Sequence, residues 1–93
     1  MIKTFADKRT AALSTGQFVK SLSAGVAVRA KRKLDLIDSA STLDFLRVPP
    51  GNRLEALAGN RAGQLSIRVN NQWRVCFVWT AEGPKNVEIC DYH

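Results

Sequence analysis

One histidine, two cysteines and one tyrosine are all this 93-residue chain offers of the side chains that usually bind metals or serve as nucleophiles. Cys76 and Cys90 do not form a CxxC pair, and His93 alone gives no ligand spacing, so no metal site is expected. Long apolar runs are missing as well. The opening MIKTFADKRT has no stretch suited to a signal peptide, and nothing approaches the roughly 20 apolar residues of a membrane span. The expected setting is the reducing cytoplasm, with both cysteines free and no membrane contact. There are no repeats and no low-complexity segments. Acidic residues are scarce, 8 against 14 Lys and Arg, for a net charge of +6. Such an excess serves solubility, or it serves a polyanionic partner, either nucleic acid or an acidic protein segment.

What is present suits one globular domain over residues 1–93: 45% of residues are hydrophobic, and seven are aromatic (four Phe, two Trp, one Tyr). The chain is organised around residues 53–79. Leu65, Ile67 and Val69 alternate with polar residues, and after Asn70-Asn71-Gln72 the alternation resumes with Trp73, Val75, Phe77 and Trp79. This period of two predicts a hairpin of half-buried strands. Both apolar sets fall on odd numbers, so a three-residue loop, Asn70 to Gln72, puts all of them on one face. That register sets Arg68 opposite Arg74 and Ser66 opposite Cys76. Like charges facing each other cost up to about 1 kcal/mol, so the guanidinium pair is either splayed into solvent or held for an anion.

Upstream, Asp7 is placed to cap a helix running to about Thr15, and Ser23 to cap a longer one, Ala24 to about Ser39. Val26, Ala30, Leu34 and Ile37 form the core stripe of the second helix, while Arg29, Lys31, Arg32 and Lys33 crowd its middle. Phe18, Val19 and Leu22 are expected to plug into the core. Ser41 to Asp44 reads as a capping box opening one turn, with Leu43, Phe45 and Leu46 inward. Pro49-Pro50-Gly51-Asn52 breaks the chain before a short strand at Leu54–Leu57. Thr80 to Asn86 is expected as a loop and Val87 to Tyr92 as the last strand. Without a bulge, that loop sets Cys76 opposite Cys90 and Arg74 opposite Tyr92. The fold class is α+β: a small antiparallel sheet with two N-terminal helices on one face.

The other face would then carry Arg68, Arg74 and Tyr92, with Asp91 and His93 beside them. Arginine suits phosphate because its planar fork donates paired hydrogen bonds and keeps its charge. Tyr, His and Asp add groups that relay protons. Without a metal, such a set fits RNA cleavage by the substrate's own 2′-OH. On residues alone, a nuclease and a phosphate- or RNA-binding module stand level.

The run Arg53-Leu54-Glu55-Ala56-Leu57, then Gly59, Arg61, Gly63-Gln64, Ser66-Ile67-Arg68, Gln72-Trp73-Arg74, Cys76-Phe77 and Asp91-Tyr92-His93 resembles the HigB-type toxins of the RelE superfamily. Met1-Ile2-Lys3, the Pro49–Asn52 lead-in and the length agree with it. The resemblance implies a ribosome-dependent mRNA endoribonuclease that inhibits translation and needs no metal or cofactor. It implies a HigA-type helix-turn-helix antitoxin as partner, with operator DNA bound only through that antitoxin. By position, Arg68, Arg74, Asp91, Tyr92 and His93 take the catalytic roles. Arg61 matches a loop arginine, and with Arg53, Lys31 and Arg32 it is expected to meet RNA. Many relatives carry Lys at the position of Ala58 and some carry His at that of Glu55, so the resemblance predicts weaker activity here. The alternative it leaves is a weakly active or inactive member that acts by binding antitoxin or ribosome.

Overall fold

A computed structural model describes residues 1–91. Helix α1 (Lys8–Ser14) and helix α2 (Ala24–Ser39) pack on one face of a four-stranded antiparallel sheet. The strands are β1 (Glu55–Ala56), β2 (Leu65–Arg68), β3 (Trp73–Thr80) and β4 (Gly83–Asp91), and they lie in chain order across the sheet. This is the expected α+β arrangement. No helix among the described residues is long and apolar enough to cross a membrane.

Both helices start where their caps predict. The Asp7 carboxylate accepts from the Thr10 amide at 2.8 Å, and Ser23 Oγ accepts from the Val26 amide at 3.3 Å. These bonds satisfy amides that the first helical turn leaves without partners. Ala30, Leu34 and Ile37 bury the α2 stripe against Ile67, Val69, Val75, Phe77, Val87 and Ile89 of the sheet. Complete burial of a side chain such as Phe77 contributes about 1.5–3 kcal/mol. Thr10 ties α1 to the sheet directly, its hydroxyl accepting from the Ile89 amide at 3.0 Å.

The β2–β3 register is the expected one: Leu65 faces Phe77, Ile67 faces Val75 and Arg68 faces Arg74. The β3–β4 register is not. Instead of a seven-residue loop, the chain turns at Ala81-Glu82, pairing Thr80 with Gly83, and Gly83 takes the positive φ of 121° that the turn requires. A turn this tight would by itself send Val87 and Ile89 to the wrong face. A bulge corrects the parity. The register shifts between Cys76 and Val78, and Asn86 adopts a left-handed φ of 53°, so Val75 faces Ile89 and the apolar set stays inward. In consequence Cys76 lies opposite Glu88 and Arg74 opposite Cys90, not Cys76 opposite Cys90 and Arg74 opposite Tyr92. Burial, the stronger constraint, outweighed loop length.

Three smaller expectations also fail. Phe18 is 86% exposed, although Val19 and Leu22 are buried. The segment after α2 forms a 3-10 turn, Leu43–Leu46, without a side-chain cap bond at Thr42, so the capping box is not made. Within that turn Leu46 is buried and Phe45 is exposed. The N-terminal lead-in lies along the outer edge of β4. It makes a parallel bridge between Phe5 and Val87 and donates from the Lys3 amide to the Pro84 carbonyl at 2.8 Å. An edge so covered has fewer groups open to strand addition.

Candidate active site

The sheet face away from the helices is not a bare polar surface. The segment around β1 folds over it, so Leu57, Cys76 and Cys90 form a second small apolar cluster. Ser66 and Cys76 are fully buried there, and Arg74 is only 9% exposed. Arg74 Nε donates to Ser66 Oγ at 2.7 Å, and Nη2 donates to the Arg53 carbonyl at 2.7 Å and to the Ser66 carbonyl at 3.3 Å. Glu55 Oε1 stands 3.8 Å from the same nitrogen. Hydroxyl and carbonyl partners fix the guanidinium without cancelling its charge. Glu55, about half exposed, offsets part of it.

The register pairs Arg68 with Arg74, yet their side chains separate. Arg68 Nη2 donates to Asn71 Oδ1 at 2.5 Å, and Arg68 lines a cleft beneath α2. The like-charged pair is relieved by divergence: one guanidinium folds under β1 and the other leans over the hairpin loop. Asp91, exposed and opposite Trp73, accepts from Gln72 Nε2 at 3.2 Å. Its register opposite Trp73 puts Asp91 at the same end of the sheet as Arg74 but on the helix-side face, not on the common face expected for the two. The expected catalytic residues Tyr92 and His93 lie outside the described residues.

The expected RNA contacts divide in the same way. Arg61 Nη1 donates to Glu88 Oε1 at 3.1 Å and to Gln64 Oε1 at 3.0 Å. The Glu88 bond raises the Arg61 pKa above its ordinary value, and the pair closes the loop over the cysteine cluster. Lys31 Nζ is bridged to Asp35 at 2.7 Å, one helical turn on. Arg53 is exposed at φ 46°, and its carbonyl anchors Arg74. Arg32 is exposed on α2. Ser66, which orients Arg74, lies within the family run, and Lys33, which reaches Asn52, within the basic cluster of α2, yet neither was expected as a site residue. The spacing of Arg29, Arg32, Lys33 and Leu36 on α2 holds the signal that would have grouped them, since i, i+3 and i+4 share one helix face.

Cys76 and Cys90 are free and buried. A hydrogen bond shared with Cys90 pulls the Cys76 thiol down, with Arg61 assisting. That same bond, together with burial, pushes the Cys90 thiol up, so Cys90 holds its proton.

With the geometry in place, comparison with known proteins assigns the class. The model of the HigB-like toxin family, described as RelE-like toxins of the type II toxin–antitoxin system HigB, matches residues 4–93. The chain belongs to this HigB-like family. Toxin HigB-1 of Vibrio cholerae serotype O1 is 54% identical over 48 residues, 52% of this chain and 50% of that protein. A Haemophilus influenzae protein called only "Uncharacterized protein" is 44% identical over 46 residues, 50% of this chain and 46% of its own. The chain thus spans about half the length of the curated relatives it matches.

Proposed function

We propose that this protein is a type II toxin of the cytoplasm that inhibits translation by cutting mRNA on the ribosome, and that a HigA-type helix-turn-helix antitoxin holds it inactive. The observation that carries the reading is Arg74, a guanidinium fixed by hydrogen bonds to Ser66 and to the Arg53 carbonyl at the end of the sheet where Asp91 closes β4. A fixed cation aimed where charge gathers loses nothing to reorganisation during reaction, which is why preorganised donors are effective.

In this mechanism the 2′-OH of the RNA attacks the adjacent phosphorus. Its proton passes to a base, the O–P bond forms, and the 5′-oxygen leaves with a proton from an acid. Arg74 stabilises the negative charge on the phosphorane oxygens. Asp91, with Tyr92 and His93, supplies the proton-transfer and positioning groups. No cofactor enters the scheme. The cation at the reacting phosphate is an arginine. The 93 residues act as one toxin domain.

Expression of the chain in growing bacteria should arrest growth, and co-expression of a cognate HigA-type antitoxin should restore it. Unimpaired growth at high expression would count against the toxin reading.

Glu55 gives a sharper test of the chemistry. Its carboxylate, 3.8 Å from Arg74, opposes an incoming phosphate. Glu55→Gln should therefore raise the cleavage rate several-fold at low salt and less at high salt, where screening already weakens the repulsion. A fall of tenfold or more would make Glu55 the proton acceptor instead.

A further inference from the structure

A cleft of about 660 Å³ lies beneath α2, beside the hairpin loop. Arg29, Arg32 and Lys33 enter it from the helix, and Arg68 enters from the end of β2. Leu36 and Val69 give it an apolar lining, and Gly51 completes one side. Asp35 is the one acidic side chain in the lining, and it is bridged to Lys31 at 2.7 Å. Four cations therefore line one cavity, facing a single carboxylate whose nearest ion pair lies elsewhere.

Like charges gathered in one cleft repel, at a cost that a bound anion would relieve. Lys33 records that cost. Its Nζ donates to Asn52 Oδ1 at 2.5 Å, a neutral partner, and its pKa is lowered first by burial and then by Arg68. Arg68 stands across the β2–β3 ladder from Arg74, so the cleft adjoins the candidate active site without being part of it.

The geometry points to a phosphate-binding site for single-stranded RNA in this cleft, in which Arg29, Arg32, Lys33 and Arg68 hold a backbone phosphate away from the bond that is cut. This rests on the reading of the protein as an RNA-cleaving toxin and refines it. Arg68 is a positioning residue that grips the strand, while Arg74 alone of the pair faces the reacting phosphate. RNA fits better than an acidic peptide for two reasons. Guanidinium forks match phosphate oxygens in pairs, and an apolar lining of Leu36 and Val69 beside them suits a ribose or base next to its phosphate.

The test uses a fluorescent hexauridylate with 2′-O-methyl sugars, which cannot be cleaved by its own 2′-oxygen. Binding is measured from low to moderate salt. Lys33→Gln and Arg29→Gln should each weaken binding about tenfold and reduce the salt slope by about 0.7, the value for one lost phosphate contact on a single strand. Lys33→Arg should restore most of it, and Lys8→Gln, on the exposed side of α1, should change nothing. On ribosomes, Arg68→Gln should raise KM far more than it lowers kcat.

Absence of binding by the wild-type chain at low salt would overturn the proposal. So would equal affinities for the Lys33, Arg29 and Lys8 variants, or tighter binding of an acidic peptide of the same charge. Binding does not depend on cleavage, so a chain that grips the oligonucleotide through these residues but cuts nothing leaves the site standing and sinks the nuclease reading. Cleavage indifferent to Lys33 and Arg29 sinks only the site.

Discussion

Arg74→Ala is expected to slow mRNA cleavage by about 10²–10³-fold, the usual loss when a preorganised charge-stabilising donor is removed. It should also lower the melting temperature. Placing two arginines opposite each other implies that removing one steadies the sheet, but the structure reverses that sign for Arg74. Its side chain is buried and donates to Ser66 Oγ, the Ser66 carbonyl and the Arg53 carbonyl. Truncation strands these acceptors beneath β1, at a cost of about 1–3 kcal/mol. For a domain of this size, that corresponds to a drop of several degrees or more.

Because both quantities fall together, stability alone cannot identify a functional role, and Arg74→Lys separates the two. Lysine keeps the charge but lacks the fork, so it should recover part of the lost stability while leaving cleavage at least tenfold slow. An Arg74→Ala protein that melts lower yet cuts mRNA at the wild-type rate would reduce this residue to scaffold.

The second large effect is the difference between ribosome-bound and free mRNA. Purified protein should cut naked mRNA orders of magnitude more slowly than mRNA in a translating ribosome. Arg74 and Asp91 sit at one end of a small sheet, and Arg61 and Lys31, expected to meet RNA, are already paired with Glu88 and Asp35. A phosphate gripped in the cleft beneath α2 holds the strand at one point and leaves the scissile linkage free to rotate out of line. A ribosome that fixes the strand can supply up to about 7–11 kcal/mol of that orientation. The check is a comparison of single-turnover rates on the same transcript, free and ribosome-bound. Equal rates would show that the protein orients RNA unaided.

Much of this architecture is legible from the sequence because burial dictates it. Asp7 and Ser23 announce two helices, and the odd-numbered apolar residues of β2 and β3 admit one register. The β3–β4 pairing was not legible. Its tight turn at Ala81-Glu82 and the bulge at Asn86 satisfy the same inward pattern as a longer loop without a bulge, so alternation cannot distinguish them. At the site, sequence spacing placed Arg68 and Arg74 together correctly as backbone partners. It had no access to the side-chain divergence, which depends on Ser66 and the Arg53 carbonyl on one side and Asn71 on the other. Nor does position in the chain reveal that Arg61 is held by Glu88, 27 residues away.

The most direct test of the central claim is to map 5′ ends on a reporter mRNA in a translation extract, with wild-type protein and with Arg74→Lys, where the ribosomes are actively translating. New ends are expected within the translated region, absent when initiation is blocked and at least tenfold fewer with Arg74→Lys. Intact mRNA while protein synthesis stops would contradict cleavage as the activity, and ends unchanged by blocking initiation would contradict its dependence on the ribosome.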